Sequence, residues 1–450
     1  MGTYADLMGL AEAAFVVKSR TVRRASGRYL EELIGNERLP RAQLEQMQNA
    51  RAAAVARFAA VQTPYYRRLF DDHGLDASQM HRLEQWQRIP LLDRTIVKEH
   101  AEEFVSTEST PKTAREAKTG GSTGQPLRTQ QDNRVPNLAL AWRMYRWWGV
   151  QPWENIARIG RWGFGVTDAV KNAVSWWPST QIYMDARLFD AKAMHAFHGR
   201  IVRTRPVLIE GYVGAMLAFA EYLDAENLRI PMPRAIATTA APLTGNVRAR
   251  LEGVYQTPVY DEYRGSEINW LAGECARRHG LHMFSDARRI EVVDELGEAV
   301  PAGTVGDIVV TDLTNRVFPL IRYRPGDRGM LLDGECTCGV TLPMIAQPEG
   351  RTTDVLRLPS GNAINHGLMA MFSSHPESVR LFQILQKADH SITIRVILGD
   401  ERDARRHVEN AAQQLRQRIR NEVPVSVLYV DELPYTGGKT KYLISEVPSS

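Results

Sequence analysis

Between about residue 119 and residue 350 the chain alternates short β-rich runs with stretches of helical periodicity. No other feature restricts its fold as much, because such alternation is satisfied by layers of helices packed on a sheet. Val207-Leu208-Ile209 reads as a buried strand followed by a helix from near Gly214. Ala235-Ile236-Ala237-Thr238-Thr239 reads as a second strand, ending in Ala240-Ala241-Pro242-Leu243 at a helix start. Val292-Val293-Asp294 and Gly306 to Thr311 predict strands of a separate, antiparallel subdomain. The fold class expected is α/β: a large N-terminal domain of several subdomains, layered α/β plus a small β part, with a small α+β domain at the C-terminus.

Residues 1–110 are mostly helical by pattern; Ala53 to Phe70 has apolar residues at three- and four-residue spacing, and Pro64 marks a break or restart. After Arg351 the composition changes. Ser391 to Val396 alternates like a half-buried strand, Asp403 to Asn421 is a charged amphipathic helix, and Val425 to Val430 is a further strand. Domains of 1–351 and 352–450 follow, joined near Thr353 and Asp354, a division that suits a chain of 450 residues. With 56 basic against 52 acidic residues the net charge is only +4, which argues against a nucleic-acid partner. Met1 to Arg20 is too short and interrupted for a signal peptide or span, and Leu138 to Val150, laced with Trp and Arg, reads as an amphipathic helix. The expectation is a cytoplasmic protein with no membrane partner. Three cysteines, an odd number, speak against a disulfide framework.

Thr119-Gly120-Gly121-Ser122-Thr123-Gly124-Gln125-Pro126 is a hydroxyl-bearing glycine-rich loop suited to wrapping a polyphosphate. Glycines let backbone N–H groups turn toward an anion, while Thr119, Ser122 and Thr123 add side-chain donors. It is not a Walker A loop, since no Gly-Lys-[Ser/Thr] closes it. Downstream, in order, come Tyr263-Arg264-Gly265-Ser266-Glu267, Tyr323-Arg324-Pro325-Gly326-Asp327, Gly350-Arg351 and Gly437-Gly438-Lys439. Together these resemble the adenylate-forming (acyl-CoA synthetase) ligases, and within them the phenylacetate–CoA ligase branch with its capsule-biosynthesis-associated relatives. Thr63-Pro64-Tyr65-Tyr66-Arg67 and Ile89-Pro90-Leu91-Leu92-Asp93 resemble the opening region of that branch.

The resemblance implies roles residue by residue. The loop 119–126 holds the β- and γ-phosphates of ATP; Leu127 and Arg128 stand where many members have a lysine. Tyr263 packs on adenine, Ser266 bonds the α-phosphate and Glu267 ligates Mg²⁺, a hard cation that takes carboxylate and phosphate oxygens. The family usually has glycine after this tyrosine, and here it is Arg264. Asp327 receives the ribose hydroxyls, and Arg351 adds a ribose or phosphate contact. Ala240, Ala241 and Pro242 line the adenine and substrate pocket, with Ala241 where a glutamate is frequent. Lys439 is the adenylation lysine, reaching the α-phosphate and carboxylate and leaving when the small domain rotates; Lys441 competes for the role.

Cys275, His282, Cys336 and Cys338 supply three thiolates and an imidazole, a set suited to a closed structural Zn²⁺ site, as several members of the branch show. The alternative is three reduced cysteines and an unrelated histidine. Seven of nine tryptophans lie between Trp142 and Trp177. Most are expected to fill the core; Trp162 and Phe164, flanked by glycines, and Tyr212 are the candidates for a substrate pocket.

The function implied is adenylation of a carboxylic acid, aryl or related, by Mg-ATP with release of pyrophosphate, then transfer of the acyl group to the thiol of coenzyme A. Transfer to an amine or a carrier protein in a biosynthetic pathway is the alternative acceptor reading. A non-catalytic nucleotide-binding homologue is the alternative from another class. A homodimer is what the branch suggests.

Overall fold

The computed structural model describes residues 2–118, 127–161, 166–351, 356–364, 368, 371–372, 375–433 and 441–447. Two compact units result, the first made of Met1–Phe15, Trp148–Asp261 and Glu349–Ser450, the second of Val16–Trp147 and Glu262–Pro348.

In the first unit, parallel strands run in the spatial order Gln181–Asp185, Ile156–Gly160, Leu208–Tyr212, Ala235–Thr239, with Val259–Tyr263 next. Helices Val166–Trp176, Ala191–Thr204, Val213–Ala225 and Gly245–Tyr255 connect them. Every residue of Ala235–Thr239 is buried, as strands covered on both faces require. The strand order is that of a doubly wound sheet whose direction of winding reverses beside Ile156–Gly160, and ligands bind such sheets beyond the carboxyl ends of the strands at that point. Leu208–Tyr212 ends in Tyr212, and Ile156–Gly160 is followed in sequence by Trp162 and Phe164. Phe197, Phe219, Ile209, Ile236 and Leu251 form the core beneath.

The C-terminal part of this unit is a four-stranded sheet in the order Val425–Tyr429, Ile392–Leu398, Val379–Gln386, Leu443–Ser445, with helix Ala404–Arg418. Val408, Ala412 and Leu415 of the helix pack on Phe382, Ile384, Ile394 and Val396. The helix ends at Arg418 rather than Asn421, because Arg420 and Asn421 take positive φ. Asn246 Nδ2 donates to the Val379 and Arg380 carbonyls at 2.6 and 3.2 Å, and Arg380 pairs with Glu221 at 2.6 Å. Ala241 packs against both this core and that of the parallel sheet.

The second unit carries the expected antiparallel sheet: Arg288–Val293 pairs with Val305–Asp312, Val292 opposite Ile308, and Asp327–Leu332, Met344–Ile345, Leu281–Met283 and Ala272–Glu274 continue it. Helices Arg41–Gln62 and Pro64–Asp72 meet at Pro64, which starts the second one at a position where a missing N–H costs nothing. Tyr66 is wholly buried; its hydroxyl accepts from Ile321 N at 2.8 Å and donates to Pro319 O.

Helix Leu138–Trp147 differs from the amphipathic helix expected. Ala139 through Tyr145 are all buried. Arg143 lies on an inner face, where its Nη1 bonds Asp286 Oδ2 at 2.7 Å, with both side chains wholly buried and the guanidinium over the Phe284 ring. A charged residue that looked like a solvent face is thus an internal ion pair. Among the described residues no helix is long and apolar enough to cross a membrane.

Candidate active site

Glu267 follows the strand Val259–Tyr263 by four residues, in a turn where Gly265 N donates to Ile268 O. Its Oε1 accepts from Arg94 Nη1 at 3.1 Å and from the Tyr323 hydroxyl at 3.3 Å. Both bonds fall on Oε1, and a carboxylate is a hard oxygen donor suited to Mg²⁺. Arg94 opens helix Arg94–Glu99, whose N-cap Asp93 accepts from Ile96 N at 2.8 Å. The same segment is fixed to the Tyr323 motif by backbone: Leu92 N donates to Arg322 O, and Arg324 N to Leu92 O. Burial, then the Glu267 charge, raises the Tyr323 phenol above its usual range, so it stays a donor.

Tyr263 and Asp327, assigned to adenine and ribose, are joined directly: the Tyr263 hydroxyl donates to Asp327 Oδ2 at 2.8 Å. Asp327 begins the strand Asp327–Leu332 after Gly326, whose φ is +90°. The turn before the strand thus rests on a glycine in a conformation that favours it. A small cleft beside Glu267 is lined by Gln131, Asn137, Asn269, Thr314 and Asn315, almost all hydrogen-bonding groups. Ser266 is exposed, and its carbonyl accepts from Gln131.

Arg264, the departure from the family pattern, is accommodated by stacking. Its guanidinium lies 3.7 Å from the Trp270 ring centroid and pairs with the buried Glu262. The side chain is thereby held against Trp270 and Glu262. In the first unit Ala240 is exposed with φ +72°, a left-handed conformation costly for any residue with a Cβ. Such strain collects at ligand sites, and Ala240 stands at the carboxyl end of the strand Ala235–Thr239. Ala241 and Pro242 are half-buried, and so is Tyr212, against the parallel-sheet core.

Thr119, Gly120, Gly121, Ser122, Thr123, Gly124, Trp162, Phe164 and Lys439 lie outside the described residues. Arg351 forms a two-residue strand with Gly350, and only its backbone is described. Arg128, where a loop lysine's role could pass, is exposed on a hairpin and 3.7 Å from Glu116. Of the clustered tryptophans, Trp142 and Trp148 fill the core, the latter stacked on Tyr260, while Trp177 is exposed.

Cys275, His282, Cys336 and Cys338 come together in the second unit, their ligand atoms all within 4.8 Å of one another. Cys275 Sγ is 3.6 Å from Cys336 Sγ, and Cys338 Sγ is 3.3 Å from His282 Nε2. His282 Nδ1 meets the Leu342 carbonyl at 2.9 Å, which sets the tautomer and turns Nε2 toward the sulfurs. Arg277 N and Val340 N donate to the sulfurs of Cys275 and Cys338. Burial lowers the His282 pKa and raises that of Cys275, and pushes Cys338 up to about 12. A neutral imidazole and three thiol sulfurs at this spacing fit a tetrahedral soft-metal centre.

Arg94, the partner of Glu267, is a residue of the candidate site that sequence reasoning did not single out. Its only signal is its place after Asp93, at the end of the opening segment Ile89 to Asp93; the partner Glu267 is 173 positions away.

A family model described as the CapK C-terminal domain matches residues 356–446. The chain is 26% identical over 446 residues to a phenylacetate-coenzyme A ligase of Thermus thermophilus, spanning 91% of this chain and 98% of that protein. It is 21% identical over 349 residues to protein CapK of Staphylococcus aureus, covering 73% of this chain and 74% of that one. Among solved structures, 2-hydroxyisobutyryl-CoA ligase in the postadenylation state is similar with a TM-score of 0.75 at 19% identity, covering 91% of each chain. At that identity the likeness speaks for the fold alone.

Proposed function

Because the chain belongs to the adenylate-forming superfamily, in the branch of phenylacetate–CoA ligases and CapK, we propose that it is an AMP-forming acid–thiol ligase. A carboxylate oxygen of the acid attacks the α-phosphorus of ATP, the bond to the β-phosphate oxygen breaks, and pyrophosphate leaves. The thiolate sulfur of coenzyme A then attacks the acyl carbon, and AMP departs with the bond electrons.

One observation carries the reading: Tyr263 is bonded to Asp327, and Glu267 is held by Arg94 and Tyr323. Three segments remote in sequence are thereby joined, which supports a nucleotide site at this place. Tyr263 packs on adenine while its hydroxyl fixes the Asp327 carboxylate that takes the ribose. Glu267 is the carboxylate for Mg²⁺, which supplies charge neutralisation on the phosphates when bound. Arg94 and Tyr323 hold Glu267 in one orientation and so lower the entropic cost of binding. The loop 119–124, Ser266 and Arg351 contact phosphates and ribose. Lys439 supplies the mobile positive charge for the α-phosphate, carried on a C-terminal domain of residues 352–450. Trp162, Phe164 and Tyr212 bound the acid pocket beyond the parallel strands, with Ala240, Ala241 and Pro242 at its edge. Cys275, His282, Cys336 and Cys338 hold a structural Zn²⁺. The enzyme works in the cytoplasm as a homodimer.

ATP–pyrophosphate exchange over aryl, aliphatic and amino acids, with no acceptor present, tests the reading. Exchange with one acid class supports it, and coenzyme A is then expected to drain the adenylate. ATP binding without exchange for any acid would instead favour a non-catalytic homologue. Lys439→Ala is expected to lose exchange steeply while ATP still binds.

A further inference from the structure

The C-terminal part of the first unit holds a second group of metal-ligating side chains, remote in sequence from Cys275 and its partners: His375, Glu401 and His407. One ligand atom from each lies within 4.8 Å of the others. The two imidazoles are stacked, ring centroids 3.6 Å apart and planes within 11°. Stacked rings present their edges side by side, so one nitrogen from each can face a single cation. Glu401 Oε2 is 3.3 Å from His407 Nδ1. It also accepts from the hydroxyl of Ser378, which is fully buried and 2.8 Å from the same Nδ1. Although serine, histidine and glutamate meet here, they cannot form a nucleophilic relay. Serine and carboxylate share one imidazole nitrogen, whereas a relay needs one on each, and a buried Ser378 is closed to substrate.

The ligands sit on three pieces of chain. His375 precedes the short turn Pro376–Ser378, Glu401 lies in the connection after strand Ile392–Leu398, and His407 is in the first turns of helix Ala404–Arg418. The connection is pressed onto the turn: Gly399 N donates to Ser378 O at 2.9 Å, and a Cβ at 399 would lie 1.8 Å from Glu377 O. Only glycine permits that approach.

We propose that His375, Glu401 and His407 form a binding site for one divalent transition-metal ion of intermediate softness, Zn²⁺ being the type. Two imidazole nitrogens and one carboxylate oxygen suit such ions, whereas Mg²⁺ and Ca²⁺ prefer oxygen alone. With metal–ligand bonds of about 2.0–2.2 Å, tetrahedral ligands stand about 3.3–3.6 Å apart, a separation that Glu401 Oε2 and His407 Nδ1 already have at 3.3 Å. His375 is exposed, so its side chain is free to rotate into place. Ser378 bonds both Glu401 Oε2 and His407 Nδ1, an added contact of the kind that orients metal ligands. The ion would cross-link the turn that leads directly into Val379 and Arg380, the residues docked on Asn246 and Glu221. Metal occupancy therefore stiffens the segment through which the C-terminal sheet meets helix Gly245–Tyr255.

The test is calorimetric titration of the full, tag-free chain, stripped with a chelator, by Zn²⁺ and separately by Mg²⁺. Wild type, His375→Ala and Glu401→Gln are compared, with far-UV circular dichroism to confirm folding. The expected result is one zinc-binding event that both variants weaken by more than the roughly 10–100-fold that loss of a supporting group costs a metal site. Mg²⁺ should give no matching event. Any event at Cys275 and its partners survives in both variants and does not enter the comparison. Zinc binding that either variant leaves unchanged, or a wild-type chain that takes no zinc, would overturn the proposal.

Discussion

In the parallel strands of the first unit most buried positions are aliphatic or small; the buried charges Arg158 and Glu210 pair across neighbouring strands at 3.0 Å, and Tyr260 and Asp261 are buried in the last strand. In the second unit Arg143, Arg288 and Arg322 are among the largest side chains with almost no exposure. Arg288 bonds the Asn269 and Ala287 carbonyls, Asn137, Asp312 and Thr314. Arg322 bonds the carbonyls of Gln87, Ile89 and Gly297 at 2.6 to 2.8 Å. Regular strands satisfy their own backbone groups and need only apolar cover. Loops do not, and a guanidinium with five donors can fasten several loop carbonyls at once. The unit that carries Glu267 and Asp327 is built of short strands and long turns, and its arginines do the fastening.

The severest way to break this contrast is to strand a buried charge. Asp286→Ala leaves Arg143 uncompensated and should cost about 3–5 kcal/mol of stability, read from denaturant melting. The double variant Arg143→Met, Asp286→Leu should recover most of that loss, because removing both charges leaves nothing to solvate. If single and double variants melt alike, the pair is not what holds the helix.

Glu267→Gln separates chemistry from scaffolding within the same unit. Pyrophosphate exchange should fall by roughly 10²-fold or more with melting almost unchanged, since Glu267 is only half-buried. A matching fall in melting temperature would make Glu267 part of the scaffold instead.

For the parallel sheet, Ile236→Val trims a fully buried side chain and should cost about 0.5–1.5 kcal/mol. The smallest effect is expected at Ala240→Gly. Relief of the left-handed strain, about 1–2 kcal/mol, is offset in part by the added freedom of the unfolded chain. A slight stabilisation in melting should therefore accompany weaker ATP binding if the strained backbone shapes the nucleotide site.

The same contrast decides what could be read in advance. Leu208–Tyr212, Ala235–Thr239 and Ile392–Leu398 declare themselves as apolar or alternating runs, since burial on one or two faces writes directly into residue type. Ala272–Glu274, Leu281–Met283 and Met344–Ile345 are two or three residues long and have no period to find. Arg143 looked like a polar face because charge is a surface signal until its partner, 143 positions later, is known. Glu267 and Asp327 were named as candidates through the order of short motifs. Arg94 was not, because one arginine carries no pattern, and neither were Arg288 and Arg322, whose partners are mostly main-chain carbonyls that any sequence supplies.

Ala241 contributes to two apolar cores at once, those of the parallel sheet and of the C-terminal sheet. A methyl group in that position acts as a shared wedge, and its volume is a joint boundary condition. Enlarging it to reshape what binds nearby would also push on Leu381, which packs against the same two cores. Selection on ligand preference at this spot is thereby yoked to selection on how the C-terminal sheet seats. Changes at 241 should be tolerated chiefly in company with compensating changes at 381, leaving the two positions to drift as a pair.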